Sequence, residues 1–452
     1  MKTLTETLID HVLAVTYESL PRQAVEMAKH VTLDGLAVML AGSTEPLGVG
    51  RISTEYVREM GGAPQASVVA GGFKTSMQNA AYANGTMAHA LDFDNTWYPL
   101  NHPTSPTLPA ILAIGEHHGG DGRKVVEAIA AAFEVQGRLR LAATGMADGQ
   151  AFHKPGTTGM FGAVTAAVKM LDLDREQALM AFGIAGSRAG SLAINTGSMT
   201  KSSHSGHAAR MGIECAVLAK MGWTASRDVF GPGGFFDTFL GGRAEPGLLV
   251  RDFGAPLRMV DPGVGFKKHP SNYFTHRPID AALALRAEGG FSPADIAHVE
   301  IAFPRFEYVD RPRPKTGLDG KFSVQYTTAA ALLDGEITVD SFTDERRYAP
   351  DAVALLDDTT LRFDDDIPRD FDRMRATVTV WLHDGRRLSK TVERLTGWVG
   401  VPLTDAERLR KFDTCAARVL NAGAARRVVE LVERLDALDD VRGIMDIVRS
   451  DA

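Results

Sequence analysis

Along the first half of the chain, apolar residues recur at three- and four-residue intervals, the spacing that gathers them on one face of a helix. Leu4, Leu8, Val12 and Val15 form the first such stripe. Ala24–Ala41 continue it, and Gly42 offers a stop. A short helix is predicted over 54–61, closed by Gly61-Gly62, and Ala66–Ala70 reads as a short strand or an extended segment. Further helices are predicted over Met77–Ala90, Thr107–His117, Arg123–Leu141, Met160–Met170 and Arg175–Ile184, with Asp174 capping the last. Ser202 or Ser203 is expected to cap one more, which runs to Met221 and ends at Gly222. This block is too rich in alanine and too poor in alternating β-branched residues to be a sheet.

The pattern changes at Asp261–Pro278, where Pro262, Gly263, Gly265 and Pro270 mark a boundary or hinge. Beyond it the sequence predicts a helix (Ile279–Ala287), a strand (His298–Phe303) and a second helix (Phe322–Leu333). Thr377–Leu382 and Leu388–Val392 then alternate as a hairpin across His383-Asp384-Gly385. Helical spacing returns from Thr404, with Val419, Val428, Val432 and Leu435 at core positions. The expected architecture is mainly α. A large all-helical domain (residues 1–265) is followed by a smaller α+β lid domain (266–398), and C-terminal helices (399–452) return to the first unit. A cleft between two such units is a usual place for a small-molecule site.

Charge and composition narrow the chemistry. A net charge of −7 lacks the basic face that a nucleic-acid partner needs. Glu6, Asp10 and His11 interrupt the first apolar stripe, so it is no signal peptide, and no uncharged run is long enough for a membrane span. A cytoplasmic location is expected. Two cysteines, Cys215 and Cys415, fit a reducing compartment and are too few to ligate an iron–sulfur cluster. His204 and His207 have the spacing of a zinc pair, but no HExxH pattern or cysteine pair completes a recognised set, and no metal is expected. Gly231-Pro-Gly233-Gly234 lacks the strand–turn–helix context of a dinucleotide site.

Four polar clusters can carry chemistry. His89-Ala-Leu-Asp92-Phe-Asp94-Asn95-Thr96, followed by His102-Pro103, falls where a helix yields to a loop. It can supply a base, a substrate hydrogen bond and a proton donor, or serve as a polar turn with capping aspartates. His153-Lys154-Pro155-Gly156-Thr157-Thr158-Gly159 precedes a helix, suited to an anion or to simple capping by Thr157 or Thr158. Lys201 at a helix start can hold a carboxylate, with His204 and His207 sharing a face beyond it. Lys267-Lys268-His269-Pro270-Ser271-Asn272-Tyr273-Phe274-Thr275-His276 lies on the boundary, either gripping an acid as a cleft closes or forming a solvated basic loop. Tyr308 and Gly317-Leu-Asp-Gly-Lys-Phe-Ser323 add polar loops from the second unit.

In order and spacing these pieces, with Gly183-Ile-Ala-Gly-Ser between them, resemble the MmgE/PrpD family over nearly the whole chain. That family includes 2-methylcitrate dehydratases, cis-aconitate decarboxylases and iminodisuccinate epimerases. The resemblance implies a helical domain plus an α+β lid, a homodimer, and no metal or organic cofactor. It implies that Asp92, Thr96, His102, His153, Lys201, Lys267 and Tyr308 line the cleft. Asp92, Thr96, His102, His153 and Tyr308 are the catalytic candidates. Lys201 and Lys267, joined by His204, His276 and Thr157 from the same clusters, are the candidates for binding a small polycarboxylate. Two departures stand out: Ser271 and Asn272 replace cysteine-like or histidine residues of relatives, and Asn95 replaces a second aspartate. The expected activity is that of a hydro-lyase on a citrate-like acid, working by proton abstraction next to a carboxylate. Epimerisation of an amino- or imino-dicarboxylate and aconitate-type decarboxylation are the alternatives, as is an inactive carboxylate-binding or scaffold protein.

Overall fold

A computed structural model describes residues 2–97, 99–143, 151–241 and 243–450. Its first part is helical: α1 (Leu4–Ala14), α2 (Arg22–Ser43), α3 (Val49–Met60), α4 (Met77–Ala90), α5 (Thr104–His118), α6 (Gly122–Ala142), α7 (Thr158–Met170), α8 (Arg175–Gly186), α9 (Met199–Lys220) and α10 (Phe235–Leu240). A two-stranded ribbon, β1 (Ala66–Ser67) with β2 (Lys74–Thr75), precedes α4.

Helices α4 and α9 run through the centre, and glycine lets them touch. A Cβ on Gly206 of α9 would lie 2.2 Å from the Tyr82 carbonyl oxygen and from Thr86 Oγ1 of α4. Gly85 of α4 meets the Gly206 Cα at 2.9 Å in the same way. Contact at backbone distance is available only to residues without a side chain. This crossing sets the N-terminal turns of α9 against the C-terminal end of α4, where the first polar cluster begins.

The second unit holds α11 (His276–Glu288), β3 (Ile296–Phe303), α12 (Gly317–Gly320), α13 (Val324–Asp334), α14 (Asp344–Arg347), α15 (Pro350–Asp357), β4 (Thr359–Phe363), β5 (Ala376–Leu382) and β6 (Arg387–Val392). Its sheet has the order β4-β3-β5-β6. β4 runs parallel to β3, and the other pairs are antiparallel, with Val299 opposite Val380 and Ile301 opposite Val378. These side chains alternate inward and pack with α11 and α13 in a core of their own. The remaining helices, α16 (Asp405–Ala416), α17 (Ala422–Glu433) and α18 (Arg442–Arg449), contribute Phe412, Val428, Val432 and Val448 to the first core instead. Among the described residues no helix is long and apolar enough to cross a membrane.

Several boundaries differ from the sequence reading. Helix α3 starts at Val49 rather than near 54, after Gly48 takes a left-handed φ of +92°. Helix α9 starts at Met199 behind Ser198, so Ser202 and Ser203 sit inside its first turns and do not cap it. Their hydroxyls donate to the carbonyls of His89 (3.4 Å) and Thr200 (2.8 Å). Strand β4 was not predicted. Its alternating Arg362 and flanking Asp357, Asp358 and Asp364 give an edge strand the look of a loop.

Candidate functional site

The chain leaves α4 through Asp92, whose φ of +49° places a non-glycine residue in the left-handed region. Such strain persists only where the surroundings hold it. Here Lys201 Nζ donates to Asp92 Oδ1 at 2.7 Å, and Lys267 Nζ lies 3.2 Å from Oδ2 while also donating to the Asp92 carbonyl. The rest of the loop is braced from behind. Lys411 of α16 donates to the Phe93 carbonyl (2.9 Å) and pairs with Asp34 at 2.6 Å. Asn95 donates to Asp34 and accepts from Thr104 Oγ1 at 2.8 Å. The asparagine that departs from the family pattern is therefore a brace for the loop. The backbone of Thr96 bridges to Gly265, tying the loop to the start of the hinge.

Two histidines share one carboxylate oxygen. Asp94 Oδ1 lies 2.9 Å from His89 Nδ1 and 3.2 Å from His102 Nδ1. The carboxylate accepts a hydrogen bond from His89 Nδ1, which leaves His89 Nε2 with its lone pair, and it faces His102 Nδ1 as a charge partner. His89 Nε2 faces Lys201 Nζ at 3.0 Å and accepts from it. His102 Nε2 is 3.6 Å from Asp92 Oδ1, at the cleft. Opposite, His153 Nδ1 lies 3.1 Å from His204 Nδ1. One ring donates and the other accepts there, so the accepting ring carries its own proton on Nε2.

The cleft encloses about 200 Å³. The helical unit gives it Asp92, Thr96, His102, His153 and Lys201, and the hinge and lid give it Lys267, Asn272 and Tyr308. Thr96 Oγ1 donates to the Asn101 carbonyl at 2.6 Å, so only its lone pairs face the cleft. Tyr308 is 43% exposed, and its hydroxyl bonds with Thr196 at the mouth of the cleft. Burial and the nearby Asp92 carboxylate raise that phenol above its ordinary range.

Electrostatics follow from enclosure. Burial opposes ionisation of Asp92, but Lys201 and Lys267 outweigh it and hold the carboxyl well below its usual range. Asp94 is also held well below, with burial overcome by His102 and His89. Burial, reinforced by Lys201, lowers His89 to about 4 and His204 to about 4, and keeps His153 well below its ordinary value. Lys321 reaches from the lid to the Ala90 carbonyl at the C-terminal end of α4 (3.2 Å), and burial lowers its ammonium to about 8. His89, Asp92, Asp94 and His102 offer four ligand atoms within 4.8 Å of one another, a spacing a metal ion could use. An incoming cation would, however, meet two ammoniums already at Asp92. The arrangement suits an anion better.

Three candidates lie off the cleft wall. His276 is fully buried, stacked edge-on against Tyr273 and His269, with Nε2 on the Ser271 carbonyl at 3.4 Å. It is a core histidine of the lid, kept neutral by burial and by His269, and does not reach the cleft. Thr157 donates to the Lys154 carbonyl at 3.3 Å and faces a separate small cavity beside Phe235 and Phe239. It fixes the turn before α7 and does not bind from the cleft wall. His204 is also absent from the wall and acts through His153. The sequence reading quoted His89 and Asp94 without giving them a role. The signal was a second acid two residues after Asp92, set between two histidines.

The domain models named MmgE/PrpD N-terminal domain and MmgE/PrpD C-terminal domain match residues 6–246 and 269–437. The chain is 30% identical to a cis-aconitate decarboxylase of Mus musculus, over 97% of this chain and 92% of that protein. It is 26% identical to a cis-aconitate decarboxylase of Aspergillus terreus, over 95% and 93%. It is 29% identical to a 2-methylcitrate dehydratase of Cupriavidus necator, over 76% of each chain. The two domain matches together cover most of both structural units, and the chain belongs to the MmgE/PrpD family.

Proposed function

We propose that this protein is a lyase that removes water from a citrate-like di- or tricarboxylic acid after taking a proton from the carbon next to a carboxylate. The observation that carries the reading is the pairing of two separately wired histidines with two ammoniums around one cleft. Lys201 gives one proton to Asp92 and one to His89, which leaves a third for a substrate carboxylate. Lys267 gives two protons to the Asp92 and Ser271 carbonyls and sets its charge 3.2 Å from Asp92 Oδ2.

Asp92, held ionised by both lysines, is a weak base. His102 Nε2, with Asp94 on its far nitrogen, takes the proton. The C–H bond electrons move into the carboxylate as an enediolate beside the fixed cations, where such charge is stabilised most. The carbon–carbon double bond then forms as the neighbouring C–O bond breaks. His153, protonated once the substrate is bound, protonates the departing hydroxyl to water and regains a proton from solvent, to which His102 returns the one it took. A bound polycarboxylate adds negative charge beside His153 and raises its affinity for that proton. Thr96 and Tyr308 orient the substrate.

Dehydration needs a base and a separate acid, and the two histidine systems supply that pair. A second reading, decarboxylation of an aconitate-type acid, is favoured by the 30% identity to the mouse protein over 97% of this chain. Loss of carbon dioxide leaves a different carbanion, which the same cations can stabilise and which requires one proton donor. The test is incubation of the purified protein with a panel of citrate-like acids and cis-aconitate in deuterated water, followed by mass analysis. Net loss of water is expected. Loss of carbon dioxide selects the second reading, and deuterium gained without other change selects epimerisation. Silence across the panel refutes an enzyme of this class.

A further inference from the structure

Among the described residues, the lysines enclosed near the site are engaged with one exception. Lys201 and Lys267 hold Asp92, Lys411 holds Asp34, and Lys321 holds the Ala90 carbonyl. Lys154 lies in the wall of the catalytic cleft, beside His153, and its ammonium has neither an acidic partner nor a hydrogen bond among the described residues. Its backbone is nonetheless fixed. The Lys154 carbonyl accepts from the Thr157 amide (3.1 Å), Thr157 Oγ1 (3.3 Å) and Thr158 Oγ1 (3.2 Å). The strand-like segment leading into it pairs with the stretch around Leu192: Phe152 bridges Leu192, and the His153 amide donates to the Ser191 carbonyl at 2.8 Å. Pro155 restricts the residue before it as well. A rigid backbone therefore holds a half-buried, uncompensated cation where the wall of the catalytic cleft meets the small cavity beside Arg140 and Phe239. Burial, with the charge of Arg140, lowers that ammonium to about 7, so an anion arriving beside it would return it to the charged form.

We infer that Lys154 binds a further carboxylate of the substrate and sets the preference of the cleft for tricarboxylates over dicarboxylates. The charge pattern requires such a group. Asp92 and Asp94 already offset much of the charge of Lys201 and Lys267, and Lys201 keeps one free proton. A triply charged acid needs a second donor outside that clamp, and Lys154 has all three of its protons available. The inference rests on the reading of the cleft as a polycarboxylate site, whichever bond is broken there.

Calorimetry with non-reacting acids tests it apart from turnover. The probes are tricarballylate, with three carboxylates, and glutarate, with two. A charge-assisted contact of this kind is worth roughly tenfold to a hundredfold in affinity. The parent protein is expected to bind tricarballylate at least about tenfold more tightly than glutarate. Lys154→Gln should collapse that ratio, and Lys154→Arg, which keeps the charge, should retain most of it. A Lys154→Gln protein with the parental ratio overturns the inference. If that protein and the parent both turn over citrate-like acids, the functional reading survives its loss. A Lys154-dependent ratio without turnover of any citrate-like acid overturns the lyase reading alone. A parent that binds neither probe overturns both.

Discussion

Replacing Asp94 with asparagine changes one buried carboxylate and leaves the wall of the cleft intact, because Asp94 does not line it. In the parent, Asp94 Oδ1 lies 3.2 Å from His102 Nδ1. When His102 takes a proton at Nε2, the new imidazolium faces a carboxylate with charge centres roughly 4 Å apart. At an effective dielectric of about 20 that attraction is on the order of 4 kcal/mol. With proton transfer about half complete in the transition state, about 2 kcal/mol is lost in Asp94→Asn, or roughly thirtyfold in kcat. The amide can also turn its NH₂ toward the ring and reverse the tautomer, which would deepen the loss. KM should stay within about twofold, since the interaction grows only as the transition state forms. Initial rates on the acid accepted by the parent, with circular dichroism to verify folding, provide the assay. A kcat within threefold of the parent would refute the assignment of Asp94 as the group that holds and stabilises His102.

Gly206→Ala should destabilise the protein by about 1–3 kcal/mol, because its Cβ meets α4 backbone and Thr86 at 2.2 Å. Gly443→Ala, with nothing within 4 Å, serves as the control in the same thermal melts. Lys411→Met leaves Asp34 buried without its cation and the Phe93 carbonyl without its donor, a loss of about 3 kcal/mol; an unchanged denaturant midpoint would contradict it. Stability should also fall with pH in a defined direction. The folded values of His89 and His204 are lowered to about 4, and those of His153 and His276 are also depressed. The unfolded chain therefore takes up more protons below about pH 6.5. Stability present above that pH is lost toward pH 4, at about 1.4 kcal/mol per unit for each histidine that stays neutral. A melting temperature that is flat or rising from pH 7 to pH 5 would contradict this.

Much of this arrangement was legible in the sequence for a physical reason. Helical periodicity is local, so α2, α4, α6, α7 and α8 emerge from spacing alone within a few residues. The hairpin of β5 and β6 announces itself through alternation and the turn at Gly385, which takes φ +89°. Helix starts were less legible. Ser198 begins α9 without a side-chain cap bond, so nothing marks it over Ser202 or Ser203. In the site, the polar clusters together with the family resemblance singled out Asp92, His102, His153, Lys201 and Lys267, which the structure brings to one cleft. What sequence cannot give is the direction of a side chain. His276 has the same chemistry as His102 but points into the lid core. Asp94 sits two residues from Asp92, yet it turns toward two rings instead of two ammoniums.

The proton-transfer role of His102 is the claim on which the mechanism stands, and isotope exchange reads it most directly. In deuterated water, the parent protein should exchange the hydrogen on the carbon beside a carboxylate of its accepted substrate, and His102→Asn should slow that exchange by about 100-fold or more. Exchange that continues at the parental rate in a folded His102→Asn protein would contradict the account.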